Sequence, residues 1–222
     1  MTTAVLVMAK APVPGQVKTR LGASVGDDTA AELAAACLLD TLDVCETVFT
    51  VPGRRHLALA GDLDAAPLRD VLAQRLAGWT VHPQRGEGFA SRLTHAHADV
   101  ARATGLPVVQ IGMDTPHLST RDLHDVAARV GVGNDAVLGP AEDGGWWVLA
   151  LATPGFAQCL GGVEMSTEWT CVDTLAALQD TGARVDSAVT LRDVDTVDDA
   201  ALVAAAAPGT RFARLWSRVA SG

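Results

Sequence analysis

Short apolar runs alternate with spaced apolar stripes along this chain, and the two patterns call for different elements. Residues 5–8 are a β-rich run. The segment after them, 9–20, holds two prolines and a glycine and cannot be helical throughout, so a long loop is expected. Between 27 and 46 the apolar positions Ala31, Leu33, Ala34, Cys37, Leu38, Leu42 and Val44 recur near helical spacing, and Asp27 or Asp28 can cap that helix. The same reading predicts strands at 56–60, 79–82, 108–111 and 136–138. Helices are expected at 68–76, at 89–103 and from a Ser119 cap through 130. Strand and helix alternate, which predicts an α/β fold: three layers, with a mostly parallel sheet covered on both faces and ligands at the carboxyl ends of its strands.

The second half is less regular. Residues 136–139 and 146–151, joined by a Gly-rich link, can form a hairpin and so place an antiparallel element in the sheet. A helix near 172–181, a strand near 190–194 and helices over 197–206 and 212–219 complete the expectation. Neither a linker-like change of composition nor an internal repeat interrupts the chain, so residues 1–222 read as a single domain.

Composition narrows the chemistry. The 222 residues can bury a sizeable core, and a formal charge of −9 supplies no overall basic field for nucleic acid or an anionic membrane, so neither is expected as a partner. The first apolar run is too short for a signal-peptide core and no run of about 18 apolar residues follows, which gives a cytoplasmic expectation. Cys37, Cys45, Cys159 and Cys171 form no Cys-x-x-Cys and read as buried free thiols. His95 and His97, two apart, would face different sides of a helix and read as surface or packing residues. Gly-x-Ser-x-Gly, Gly-x-Gly-x-x-Gly after the first strand and a complete Walker A sequence are all missing. The only lysines, Lys10 and Lys18, both stand near the start, with Arg20 close by.

Four segments carry candidate chemistry. In the first, Gly15 permits close backbone approach, while Lys10, Lys18, Thr19 and Arg20 offer charges and a hydroxyl suited to phosphate oxygens. A solvated basic turn is the alternative, and the position after the first strand favours a site. In the second, Gly112 and Asp114 end a buried strand, where a carboxylate can reach a hard divalent cation. Asp193 and Asp195 alternate at the expected 190–194 strand end, and one of them can join Asp114 across Mg²⁺ or Mn²⁺; Thr196 or Asp198 can cap the next helix. In the fourth, Glu142 and Asp143 precede Gly144 and Gly145 and two tryptophans. The acids suit an acceptor or a ribose, Trp146 and Trp147 can stack on a ring, and Trp147 reads as core.

Taken in order, Ala9-Lys10-Ala11-Pro12-Val13-Pro14-Gly15 with Val17-Lys18-Thr19-Arg20-Leu21, Gly112-Met113-Asp114-Thr115-Pro116, Leu138-Gly139-Pro140-Ala141-Glu142-Asp143-Gly144-Gly145 and Asp193-Val194-Asp195-Thr196 resemble the DUF2064 family. These are the radical-SAM/selenodomain-associated transferases of the nucleotide-diphospho-sugar transferase (GT-A) fold. The family usually has Ser and Cys where Met113 and Thr115 stand, Tyr at Trp146, and Trp at Met165 ahead of Ser166-Thr167. The first and last segments are also similar to those of phospholactate guanylyltransferases. The resemblance implies a Rossmann-like GT-A fold, donor phosphates on Lys18 and Arg20, and metal on Asp114 and Asp195. It also implies a nucleoside triphosphate or nucleotide sugar with a small-molecule acceptor as partners. Nucleotidyl transfer to a phosphorylated acceptor is the leading expectation, with catalytic roles for Lys18, Arg20 and Asp114. Glycosyl transfer and nucleotide binding without turnover are the alternatives.

Overall fold

The computed structural model describes residues 2–221. In chain order the elements are β1 (Ala4–Lys10), α1 (Thr19–Val25), α2 (Asp27–Val48), β2 (Arg55–Ala60), α3 (Arg69–Leu76), β3 (Thr80–Pro83), α4 (Gly88–Thr104), β4 (Val108–Ile111) and α5 (Thr120–Arg129). Then come β5 (Ala136–Pro140), β6 (Trp146–Leu151), a 3-10 segment (Pro154–Gly162), α6 (Thr170–Asp180), β7 (Val185–Ser187), α7 (Val197–Ala206) and α8 (Arg211–Val219). They build a seven-stranded sheet of order β3-β2-β1-β4-β6-β5-β7. Strand β6 runs antiparallel to both β4 and β5, and the other pairings are parallel.

Strand β1 is an unbroken apolar run because both of its faces are covered. Val5, Val7 and Ala9 pack with Leu38 of α2, Leu72 of α3 and Leu123 of α5, whereas Ala4, Leu6 and Met8 pack with Leu93 and Val100 of α4 and Leu178 of α6. A third cluster joins Leu21 of α1 and Leu33 of α2 to Phe212 and Trp216 of α8. That cluster anchors α1, and with it the end of the loop that leaves β1.

Three details depart from the sequence pattern. Helix α1 begins inside a stretch expected to be loop through Arg20, because Leu21, with Val25 beside it, anchors a short helix in the third cluster. Helix α2 is capped by Gly26 rather than by Asp27 or Asp28. The expected strand at 190–194 is replaced by β7 and a single bridge between Leu191 and Ala141. The neighbouring β5 shifts register at Gly139/Pro140, and proline cannot donate to a ladder, so residues 192–195 leave the sheet. Cys37 and Cys45 are buried thiols as expected, but Cys159 and Cys171 are only half-buried. Among the described residues no helix is long and apolar enough to cross a membrane.

His97 on α4 is fully buried, and neither ring nitrogen has a hydrogen-bond partner. Burial lowers its pKa to about 4. A base held neutral in the fold but free to charge when unfolded adds stability above its ordinary pKa of 6.5, and that stability is lost as pH falls toward 4. The loss is on the order of 3 kcal/mol. Denaturant melts from pH 7 to pH 4 are expected to show a fall that His97→Leu flattens; parallel curves for the two proteins would contradict this origin.

Candidate functional site

The connections from β1 and β4 set the site. Strands β2 and β3 lie to one side of β1 and β4 lies to the other, so the chain reverses its order across the sheet and leaves a crevice beyond the carboxyl ends. A cleft of about 530 Å³ opens there. Three segments distant in sequence meet in it through main-chain and side-chain bonds. Val194 N donates to the Asp114 carbonyl at 3.0 Å, Thr115 Oγ1 donates to Asp193 Oδ1 at 2.8 Å, and Lys10 N points at Met113 Sδ at 3.3 Å.

At the centre, Lys18 Nζ donates to Asp114 Oδ2 at 2.9 Å and to Asp195 Oδ1 at 2.8 Å. Lys18 reaches them from the N-cap of α1 with φ 48° and ψ 44°, a left-handed conformation that costs a non-glycine residue strain. Its side chain is 7% exposed, against 32% for Asp114 and 41% for Asp195. Burial alone would lower the ammonium's pKa; the charges of Asp114 and Asp195 and their hydrogen bonds overcome this, and the pKa lies well above that of an ordinary lysine. Asp193 is held above the usual carboxylate range, first by burial and then by the Asp114 charge, against the Thr115 hydrogen bond.

Lys10, Lys18, Thr19, Arg20, Gly112, Asp114 and Asp195 all line the cleft. Arg20 is largely open to solvent, 3.9 Å from Asp195 Oδ2. Gly15 does not line it: with φ +71° it turns the loop, and a Cβ there would come 3.3 Å from Asp27 Oδ2. Asp143 and Gly145 line the opposite wall, where the Gly145 N–H donates to Asp143 Oδ1 at 2.8 Å. Glu142 lies outside the cleft, paired with Arg192, which also binds Asp199. Gly144 serves the scaffold, its carbonyl accepting from Cys171 N at 2.8 Å. Trp147 is buried, as its apolar setting suggested, and its indole N–H donates to the Val189 carbonyl at 2.7 Å. Trp146 faces the cleft while donating to Thr174 Oγ1. Thr196 caps α7 in a capping box with Asp199, leaving Asp195 free of that duty.

Several lining residues were not among the candidates the sequence offered. Gln84 Nε2 donates to the carbonyls of both Ala9 and Ala58 at 2.9 Å, closing the ends of β1 and β2. Phe89 and Arg92 project from α4, and Met165 and Ser166 from the loop before α6. Ser166 has φ 65°, which no sequence signal announces. Gln110 had a signal: it is the one polar residue in the buried strand β4, and its amide oxygen has no partner.

Residues 41–167 match the family described as uncharacterized protein conserved in bacteria (DUF2064). The chain belongs to this family. This DUF2064 protein is also similar to solved structures across nearly its whole length. One, from Desulfovibrio desulfuricans G20, bears the provisional description nucleotide-diphospho-sugar transferase; it is 25% identical, with a TM-score of 0.75, covering 97% of this chain and 93% of that one. A cytidylyltransferase from Leptospira borgpetersenii serovar Hardjo-bovis (strain JB197) is 12% identical with a TM-score of 0.60, over 100% and 94% of the two chains. Rv0371c of Mycobacterium tuberculosis H37Rv, solved as a complex with manganese, is 19% identical with a TM-score of 0.52, over 91% and 98%. No curated protein matches the sequence. The DUF2064 chain thus has the fold of nucleotide-diphospho-sugar transferases, and its cleft lies where ligands of such α/β sheets bind.

The far wall of the cleft depends on Gly144. Its φ is +90° and a Cβ would fall 2.1 Å from the Glu168 carbonyl oxygen, whereas Gly26, at φ +88°, has nothing within 4 Å. Gly144→Ala is expected to cost roughly 2 kcal/mol or more, well beyond the backbone strain that Gly26→Ala alone introduces. Equal losses of thermal stability in the two variants would show that the contact with residue 168 does not matter.

Proposed function

We propose that this protein is a metal-dependent nucleotidyltransferase, joining a nucleoside triphosphate to a phosphorylated small-molecule acceptor with release of pyrophosphate. The observation that carries the reading is the convergence of Asp114 and Asp195 on the Lys18 ammonium at the mouth of a cleft whose rim holds Lys10 and Arg20. Two carboxylates meeting at one point are a donor set suited to Mg²⁺ or Mn²⁺, which take one or two carboxylates and complete their shell with phosphates and water. The described residues contain no group of three or more His, Cys, Asp or Glu able to cage a metal, in keeping with a cation shared with substrate. When bound, such a cation would supply charge stabilisation to the substrate's phosphates.

The chain's own part is positioning. Lys10, Thr19 and Arg20 meet the donor's phosphates and offset charge as it moves toward the leaving pyrophosphate. Asp114 and Asp195, set by Lys18 beneath them, would hold the cation. Gly112 leaves room beside Asp114, where a Cβ would lie 2.7 Å from the Asp114 Oδ1 atom. A phosphorylated acceptor arrives with its nucleophile already ionised, so the protein need not supply a general base. Support from outside the chain comes from the cytidylyltransferase fold and from the manganese complex of Rv0371c.

One observation favours a second reading, glycosyl transfer from a nucleotide sugar. The lining also includes Asp143, Trp146, Met165, Ser166 and Thr170, which together offer a carboxylate, hydroxyls, a thioether and an indole. That chemistry suits a hydroxyl-bearing acceptor, which Asp143 could activate.

A panel of nucleoside triphosphates with phosphorylated acceptors and Mg²⁺ or Mn²⁺ is expected to yield pyrophosphate, and Asp114→Asn to cut the rate about 100-fold. Release of a nucleoside diphosphate from a nucleotide sugar would favour the second reading. In thermal-shift assays a nucleotide at about 100 times its Kd adds about 2.7 kcal/mol. If no nucleotide shifted the melt with either metal, both readings would fall.

A further inference from the structure

A lysine in a basic loop beside a nucleotide cleft is most simply given to the phosphates. The burial order points elsewhere. Lys18 lies beneath the two acids, 7% exposed, while Asp114 and Asp195 stand above it at 32% and 41%. It binds one oxygen of each carboxylate, Asp114 Oδ2 and Asp195 Oδ1, and among the described residues leaves Asp114 Oδ1 and Asp195 Oδ2 without a hydrogen bond; Arg20 stands 3.9 Å from the latter. To reach a phosphate, the ammonium would have to abandon two charge-assisted hydrogen bonds and leave two neighbouring carboxylates uncompensated. The strained left-handed backbone at Lys18, followed at once by an α1 helix pinned through Leu21, keeps the side chain aimed at the acids. Lys10 and Arg20 have no comparable commitment: both are exposed and both line the cleft.

We propose that Lys18 is a positioning residue that stays bound beneath Asp114 and Asp195 throughout ligand binding, holding their outer oxygens toward a divalent cation, while Lys10 and Arg20 take the polyphosphate. The proposal rests on the donor-site reading above and divides that site's basic residues into two roles. Lys18 compensates the charge of the acids from below and sets their separation. Lys10 and Arg20 answer the negative charge of the ligand from the rim.

Because the chain has only two lysines, the test can use the intact wild-type protein. Selective ¹⁵N labelling of the lysine Nζ atoms gives two ammonium signals, which Lys10→Arg assigns. Titration with Mg²⁺ and inorganic tripolyphosphate, a probe independent of base and acceptor, is expected to shift the Lys10 signal. The Lys18 signal should keep its slow exchange with water. Loss of that protection, or coupling of Lys18 Nζ to phosphorus, would overturn the proposal.

Calorimetry with the same probe supplies the second arm. Lys10→Ala and Arg20→Ala, both at exposed positions, should each weaken binding about tenfold, the worth of one hydrogen bond to a charged group. Unchanged affinity in both variants would also defeat the division of roles. Absence of any heat from the wild type would instead overturn the donor-site reading, so the two failures are distinguishable.

Discussion

Two ionised carboxylates side by side at the edge of a sheet repel each other unless a positive charge stands between them, and in this protein Lys18 supplies it. The ammonium joins three stretches: the loop leaving β1, the end of β4 and the segment after β7. Main-chain contact between Val194 and Asp114 and the Thr115 bond to Asp193 hold the last two together, and Lys10 N against Met113 Sδ ties the end of β1 to the end of β4. Removing the ammonium would leave uncompensated negative charge where the chain segments converge, so the geometry of the cleft depends on it more than on any apolar contact nearby.

The charge distribution follows from this arrangement. A chain of net charge −9 has no long-range attraction for polyanions, yet its cleft gathers both lysines with Arg20 and Arg92. Within a Debye length of about 8 Å such a local cluster decides what binds, and the acidic remainder of the surface is screened. In the proposed reading this cluster serves a small anion that enters the cleft with a cation for the acids.

The alternation of strand and helix was legible because each element obeys its own period. Strand β1 and helix α2 appear where the apolar run and the helical stripe place them, and Ser119 caps α5 as its position before an apolar stripe suggested. The hairpin of β5 and β6 was also legible, from the Gly-rich link between two apolar runs. What misled was local pattern without a partner. The alternation at 190–194 resembles a strand, but β5 ends in a register shift at Pro140, and only Leu191 finds a ladder to join. Helix α1 is too short for periodicity to reveal and exists because Leu21 docks against a helix from the far end of the chain.

Sequence by itself determined the class of fold, the cationic loop after the first strand, and the aspartates at the ends of later segments, since residue type and period carry that information. It also identified Trp147 as core. Tertiary structure decided which of those groups meet. It placed Lys18 under Asp114 and Asp195, turned Gly15 toward Asp27, gave Glu142 to Arg192, and made Gly144 a backbone contact with residue 168. It also brought Gln84, Phe89, Arg92 and Ser166 into the cleft. The physical reason is that burial order and charge pairing are properties of packing between distant segments: a lysine in a loop looks the same in sequence whether it faces solvent, a phosphate or two carboxylates.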